Sequence, residues 1–194
     1  MSDQEFLQAK ATYFGLMTEI DEQLGRIFDY LKATNQYDST LIVFTSDHGE
    51  QLGDHYLFGK LGYFDASYHI PLIIRDPKRQ LQNVKTLEHF SESVDVMPTI
   101  LDWLGLEIPD QCDGRSLLPF LENEVPRNWR EEVHSEFDFR WIGSYQPMIE
   151  ERFGLLPDEC SLLIIRDDDY KYVHMTALPP LFFDLKRDPG EFIN

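Results

Sequence analysis

Apolar side chains return every three or four positions between residues 10 and 34. Tyr13, Leu16, Met17, Ile20, Leu24, Ile27, Phe28 and Leu31 share one face of a helix, with Glu19, Asp21, Glu22, Arg26, Asp29 and Lys32 between them. That period predicts one amphipathic helix over 10–34 whose apolar stripe packs into a core. Asn35 and Tyr37-Asp38-Ser39 end it. The pattern then shortens. Thr40-Leu41-Ile42-Val43-Phe44-Thr45 is continuous and rich in β-branched and aromatic residues. Such a run predicts a strand buried on both faces, in the centre of a parallel sheet. Ile70-Pro71-Leu72-Ile73-Ile74-Arg75 predicts a second, with Pro71 at the strand entry and Asp76-Pro77 at its end.

Residues 93–104 return to a helical pattern and stop at Gly105, with Pro98 early in the helix where it is tolerated. Gly114-Arg115-Ser116-Leu117-Leu118-Pro119-Phe120-Leu121 reads as a turn and a short helix, with Arg115-Ser116 at the cap. Helix, strand, strand, helix suits an α/β layer structure. The character changes near residue 125. Val133–Phe137, Ser161–Arg166, Tyr170–Met175 and Leu181–Leu185 read as strands, the middle two a β-hairpin around Asp167-Asp168-Asp169. The expected organisation is therefore an α/β part over 1–125 and a small antiparallel subdomain over 126–194. The intervening stretch 138–160, with Trp141, Tyr145, Pro147, Phe153 and Pro157, is long for a connector and suits a substrate lid or a contact between copies in a homo-oligomer.

Composition narrows the function classes. The chain has 194 residues, 42% hydrophobic and 13% aromatic, enough for a packed core. There is no run of eighteen apolar residues, so no membrane-spanning helix is expected, and the first residues lack the basic and apolar regions of a signal peptide. A formal net charge of -18 excludes a nucleic-acid binder, which needs a basic stripe to displace counterions. Cys112 and Cys160 form no CxxC or zinc spacing; they read as reduced structural thiols, which fits a cytoplasmic location.

The chemistry concentrates in Ser46-Asp47-His48-Gly49-Glu50-Gln51-Leu52-Gly53-Asp54-His55, with Gly59-Lys60 following. Polar residues arrive as a strand ends, where ligands bind in open α/β sheets. Asp47 and His48 would face opposite ways in a continuing strand, but at a strand exit both can approach one ion, with Gly49 supplying freedom for the turn. A carboxylate and an imidazole suit Mn²⁺ or Zn²⁺, and further oxygen ligands would shift the choice toward Ca²⁺ or Mg²⁺. Lys60 is a point charge suited to an oxyanion. His55 reads as a polar loop histidine with an outer role at the site as the alternative. Asp54 reads as an acidic loop residue and His69 as structural; His89, His134 and His174 have no partner spacing. Asp167–Asp169 lacks the spacing and glycine of a calcium loop, so it reads as a hairpin tip.

These residues resemble the C-terminal half of the sulfatase family in the alkaline phosphatase superfamily, and within it phosphonate monoester hydrolases and arylsulfatases. Val94-Asp95-Val96-Met97-Pro98-Thr99-Ile100-Leu101, Asp113-Gly114-Arg115-Ser116-Leu117-Leu118-Pro119, Phe183-Asp184-Leu185 and Asp188-Pro189-Gly190-Glu191 resemble later landmarks of the family, in its order. The resemblance implies an alkaline-phosphatase-like sheet fragment with flanking helices. It assigns Asp47 and His48 to the second pair of metal ligands, Lys60 to the oxygens of the transferred group, and the cation to Mn²⁺ or Ca²⁺, with Zn²⁺ or Mg²⁺ as further options. It also implies a small sulfate, phosphonate or phosphate ester as substrate and a formylglycine nucleophile made from a Cys-x-Pro-Ser-Arg-like motif. That motif is absent, since Cys112 precedes Asp113-Gly114-Arg115 and Cys160 precedes Ser161-Leu162-Leu163; the first ligand pair is absent too. The expectation is a C-terminal portion that binds metal weakly and turns over no substrate unaided. The alternatives are a two-metal phosphodiesterase or phosphomutase relative and a non-catalytic binding or assembly module.

Overall fold

A computed structural model describes residues 2–79, 86–138 and 146–194, and its contacts divide the chain into two units, Met1–Lys85 and Thr86–Asn194. The first unit opens with helix α1, Asp3–Ala33, seven residues earlier than the apolar period alone placed it. Ser2 sets the start: its hydroxyl accepts from the Glu5 N–H while the Glu5 carboxylate accepts from the Ser2 N–H at 2.7 Å, a reciprocal capping box. The Ser2 contacts hold the Glu5 carboxyl below its ordinary pKa. Its two ends are packed, Phe6 edge-on to Phe58 and Phe28 edge-on to Tyr37. The middle is not. No α1 residue is buried, and Leu16, Met17, Ile20 and Ile27 are each at least half exposed. The stripe expected to lie in a core is open here, because the strands of this unit do not reach the centre of the helix face. No described helix is long and apolar enough to cross a membrane.

Strands β1 (Ile42–Thr45) and β2 (Leu72–Arg75) form a two-stranded sheet in which Val43 faces Ile74 and Thr45 faces Leu72. They run antiparallel, not parallel as the sequence suggested. A short apolar run fixes that a strand is buried or able to be, but carries no information on its direction. Neither strand is fully buried, and Ile73 is 61% exposed. Arg75 anchors the sheet to the end of α1. Its guanidinium donates to the Tyr37 carbonyl at 2.7 Å and lies 3.7 Å from the Tyr37 ring centre. Between the strands runs the polar loop, closed by the short helix α2, Asp65–Tyr68.

In the second unit, α3 (Val96–Trp103) and α4 (Leu118–Leu121) precede strand β3 (Val133–Asp138), helix α5 (Gln146–Phe153) and strands β4 (Ser161–Arg166), β5 (Tyr170–Met175) and β6 (Leu181–Asp184). The four strands make one antiparallel sheet in chain order, with the hairpin where the alternation placed it. At its tip the Asp167 carboxylate accepts from the N–H groups of Asp169 and Tyr170 at 2.8 and 2.6 Å, a turn closed by its own side chain. Part of the 138–160 stretch forms α5; Trp141 and Tyr145 lie outside the described residues. Cys112 and Cys160 are free thiols.

Leu162 and Ile164 of β4, Val173 of β5 and Phe183 of β6 form the covered face of this sheet, and Phe120 of α4 is buried in the same unit. Lys171 belongs to that covered face and is also buried. Its ammonium meets the Glu191 carboxylate at 2.5 Å, in the Asp188-Pro189-Gly190-Glu191 turn. A second buried charge, Asp95, joins two landmark segments. Its carboxylate accepts from the backbone N–H of Glu92 and of Arg115, each at 2.8 Å, and is gripped by both terminal nitrogens of Arg130. That hydrogen bonding raises the Arg130 guanidinium pKa further, with the nearby Asp95 and Glu92 charges adding to it against desolvation. One turn on, the Thr99 hydroxyl donates to the Asp95 carbonyl at 2.6 Å and accepts from the Leu117 N–H at 2.9 Å.

Removing one partner of a buried ion pair leaves the other charge poorly compensated, whereas replacing both with apolar groups is close to neutral. Glu191→Leu is therefore expected to destabilise the protein by about 3–5 kcal/mol. Lys171→Met with Glu191→Leu should recover most of that loss. Urea midpoints of the two variants check this; equal losses would contradict it.

Candidate metal and oxyanion site

Asp47 and His48 follow the end of β1 by two and three residues, where the strand gives way to the loop. The Ser46 hydroxyl donates to the His48 carbonyl at 2.7 Å and shapes the exit. The His48 Nδ1 lies 2.7 Å from the Gly49 carbonyl oxygen. A carbonyl can only accept, so Nδ1 carries a proton, and a neutral ring in this orientation has its lone pair at Nε2. Nε2 faces the Asp47 carboxylate, 3.6 Å from Oδ2. This is the arrangement in which a ligating histidine is oriented by the hydrogen bond of its other nitrogen. Asp47 is largely exposed and His48 partly so.

The Asp47 carboxyl is held below its ordinary pKa. Its own backbone N–H is the largest cause; desolvation opposes it, and His48 and then, most weakly, the Lys60 ammonium lower it further. Lys60 is exposed, and its ammonium is the weakest of these influences on Asp47. Of the three residues picked from the sequence, Asp47 and His48 stand side by side at 3.6 Å, and Lys60 pulls only weakly on Asp47.

Gly49 has a different reason from the one the sequence suggested. Its backbone stays outside the left-handed region, so turning freedom is not what it supplies. Its N–H donates to the Ser67 carbonyl at 2.8 Å, and a Cβ there would fall 2.0 Å from the Ala66 carbonyl oxygen. Glycine is needed because α2 passes against the loop. The fully buried Gln51 reinforces that seam, its amide donating to the Ser67 hydroxyl at 2.7 Å. Sequence reasoning passed over Gln51, Ser67 and Glu50, whose partners lie nine to sixteen residues away and leave no local pattern.

His55 stacks face to face on Phe64, ring centres 3.6 Å apart and planes within 3°. Asp54 is exposed and starts a 3-10 turn, and His69 is exposed beyond α2. Among the described residues no group of three or more His, Cys, Asp or Glu side chains converges as a metal site would. The donor set therefore fits half of a divalent-cation site: one carboxylate, one oriented imidazole, and room on the exposed side for ligands from elsewhere.

The family model named Sulfatase matches residues 2–106. The chain is 58% identical to the multifunctional alkaline phosphatase superfamily protein PehA of Trinickia caryophylli, over 100% of this chain and 37% of that protein. Among solved structures, the phosphonate monoester hydrolase of Agrobacterium radiobacter is 47% identical with a TM-score of 0.85, over 95% of this chain and 36% of that one. The phosphonate monoester hydrolase SpPMH from Silicibacter pomeroyi is 44% identical with a TM-score of 0.90, over 100% of this chain and 38% of that one. The chain thus spans little more than a third of the length of these relatives.

Two outcomes are expected. In metal-free protein, the Asp47 carboxyl followed by ¹³C NMR titrates below the usual aspartate value of about 3.9, and Lys60→Ala moves its midpoint upward. The sign follows from the lowered pKa: the ionised form is the favoured one, and its advantage is lost only as pH falls through that midpoint. A midpoint above the usual value would contradict this. Gly49→Ala forces the loop and α2 apart and is expected to cost about 1–3 kcal/mol, measured as a drop in urea midpoint.

Proposed function

The chain belongs to the sulfatase family, and from that premise we propose that it carries the second metal-ligand pair and the anion-holding lysine of a hydrolase acting on sulfate, phosphonate or phosphate esters. The observation that carries this reading is the Asp47–His48 pair, with Nε2 turned toward the carboxylate by the bond from Nδ1 to Gly49. In this reading residues 1–125 contribute to the catalytic α/β part and residues 126–194 form its C-terminal subdomain. The rest of the polypeptide supplies the other ligands and a formylglycine-type nucleophile. Three facts support that division: the share of the relatives that the chain spans, the open apolar stripe of α1, and a groove of about 890 Å³ between α1 and the loop, lined in part by Glu5, Thr12, Tyr13, Glu50 and Phe58.

Asp47 and the Nε2 of His48 would hold one divalent cation, Mn²⁺ or Ca²⁺ before Zn²⁺ or Mg²⁺. A bound cation of this kind supplies Lewis acidity, drawing electron density from the ester's sulfur or phosphorus centre. Asp47 contributes a carboxylate already ionised at neutral pH. Lys60 contributes an ammonium that donates to a non-bridging oxygen of the transferred group, where negative charge builds in the transition state. His55, stacked on Phe64, supports the loop or contacts the leaving group. Sulfate and phosphonate groups are both tetrahedral oxyanions, and both suit this arrangement. The resemblance to solved phosphonate monoester hydrolases at 44–47% identity favours a phosphonate or phosphate ester.

The test is a panel of aryl sulfates, phosphonate monoesters and phosphodiesters presented to the full polypeptide with defined Mn²⁺, Ca²⁺ and Zn²⁺ loading. Asp47→Ala and His48→Ala are expected to lose bound metal by elemental analysis. Lys60→Ala is expected to keep the metal and lose on the order of 100-fold in kcat/KM. Full metal stoichiometry in both ligand variants would overturn the proposal.

A further inference from the structure

Lys60 has a long, flexible side chain and sits in an exposed loop, yet an oxyanion contact needs its ammonium in a defined place. The loop contains a clasp that answers this. The Glu50 carboxylate turns back on its own chain: Oε1 accepts from the Gly59 N–H at 2.6 Å and from the Leu52 N–H at 3.1 Å. The Gly59 carbonyl in turn accepts from the Gln51 N–H at 3.0 Å. Gly59 is therefore gripped at both backbone groups by consecutive residues, Glu50 and Gln51. It holds a φ of +75°, in the left-handed region that glycine enters without strain. The next residue is Lys60. On the other side, Glu50 follows His48 by two residues, and Gly49 between them is pinned to Ser67. One carboxylate thus ties the segment bearing Asp47 and His48 to the segment bearing Lys60.

We infer that Glu50 is a positioning residue: its carboxylate, closed on the Gly59 N–H, sets the base of Lys60 relative to the Asp47–His48 pair so that cation and ammonium address the same tetrahedral anion. This rests on the function proposed above. Glu50 faces its own loop's N–H groups and is assigned no contact with metal or substrate. A charged acceptor is used because its hydrogen bonds are the shorter and stronger kind, and a partly buried one resists competition from water. An unclasped loop would leave Lys60 attached and charged but free to range over several ångströms, and a misplacement of about 1 Å is enough to cost on the order of 100-fold.

The experiment is a double-mutant cycle between Glu50 and Lys60 in the metal-loaded full polypeptide, with two readouts. The first is kcat/KM on the best substrate of the panel; the second is the affinity for inorganic phosphate by calorimetry. Bound metal is measured for every variant. Glu50→Ala is expected to weaken phosphate binding and kcat/KM by about tenfold or more, with metal content and KM for the metal unchanged. Glu50→Gln, which keeps an acceptor oxygen, should restore most of both. In the Lys60→Ala background, Glu50→Ala should do nothing further, because the group it positions is gone. A role limited to stability would instead give additive losses, and additivity would overturn the inference while leaving the function standing. Loss of metal in Glu50→Ala would overturn it as well. Lys60→Ala without effect on either readout would bring down both the inference and the reading it rests on.

Discussion

Gly49 and Ala66 come as near as two backbones can. The N–H of one residue reaches the carbonyl of Ser67, and the space a side chain would need is already filled by the Ala66 oxygen. Everything at the candidate site follows from that approach. It fixes the carbonyl of Gly49, which accepts a hydrogen bond from Nδ1 of His48 and leaves Nε2 beside Asp47. It brings Ser67 to the fully buried Gln51, whose Nε2 donates to the Ser67 hydroxyl while its Oε1 has no partner among the described residues. Gln51 and Glu50 between them hold Gly59, and so the root of Lys60. A chain of contacts runs from one missing Cβ to the far end of the loop.

The second unit spends its polar groups differently. Asp95 and Thr99 use one turn of chain to satisfy the backbone from Arg115 to Leu117, and Arg130 neutralises the buried carboxylate. Lys171 and Glu191 bring the terminal turn onto the sheet. The landmark segments around Asp95, Arg115 and Glu191 therefore have a physical reason that needs no substrate. They supply the charges and amides of buried polar joints, groups that are costly to leave unmet in the interior. Segments that look like functional signatures in a sequence are, in this unit, stitches.

Elements with a strong local period were legible. The α3 helix, the β4–β5 hairpin with its aspartate tip, and strands β3 and β6 lie within a few residues of their sequence positions, because alternation and turn chemistry act over short distances. The direction of β1 against β2 was not legible, since apolar runs pair either way and the choice is made by a loop of some twenty-five residues between them. The stripe of α1 was legible as a stripe but not as exposed: periodicity shows that a face is apolar, never what covers it. At the site, Asp47, His48 and Lys60 stood out by residue type. Glu50, Gln51 and Ser67 did not, because a hydrogen bond across nine or sixteen residues writes no pattern into the chain.

Charge separates the two kinds of polar residue. Arg130 with Asp95 and Lys171 with Glu191 are cation and carboxylate matched within hydrogen-bond distance and removed from water. Their Coulomb attraction is used up inside the fold. Asp47 and Lys60 are exposed and His48 partly so, with the imidazole's Nε2 facing the Asp47 carboxylate at 3.6 Å. An ammonium in direct contact with Asp47 would have occupied the carboxylate as Glu191 occupies Lys171. Instead Lys60 is held back at the end of a clasped loop, near enough to be felt by Asp47 yet not bonded to it.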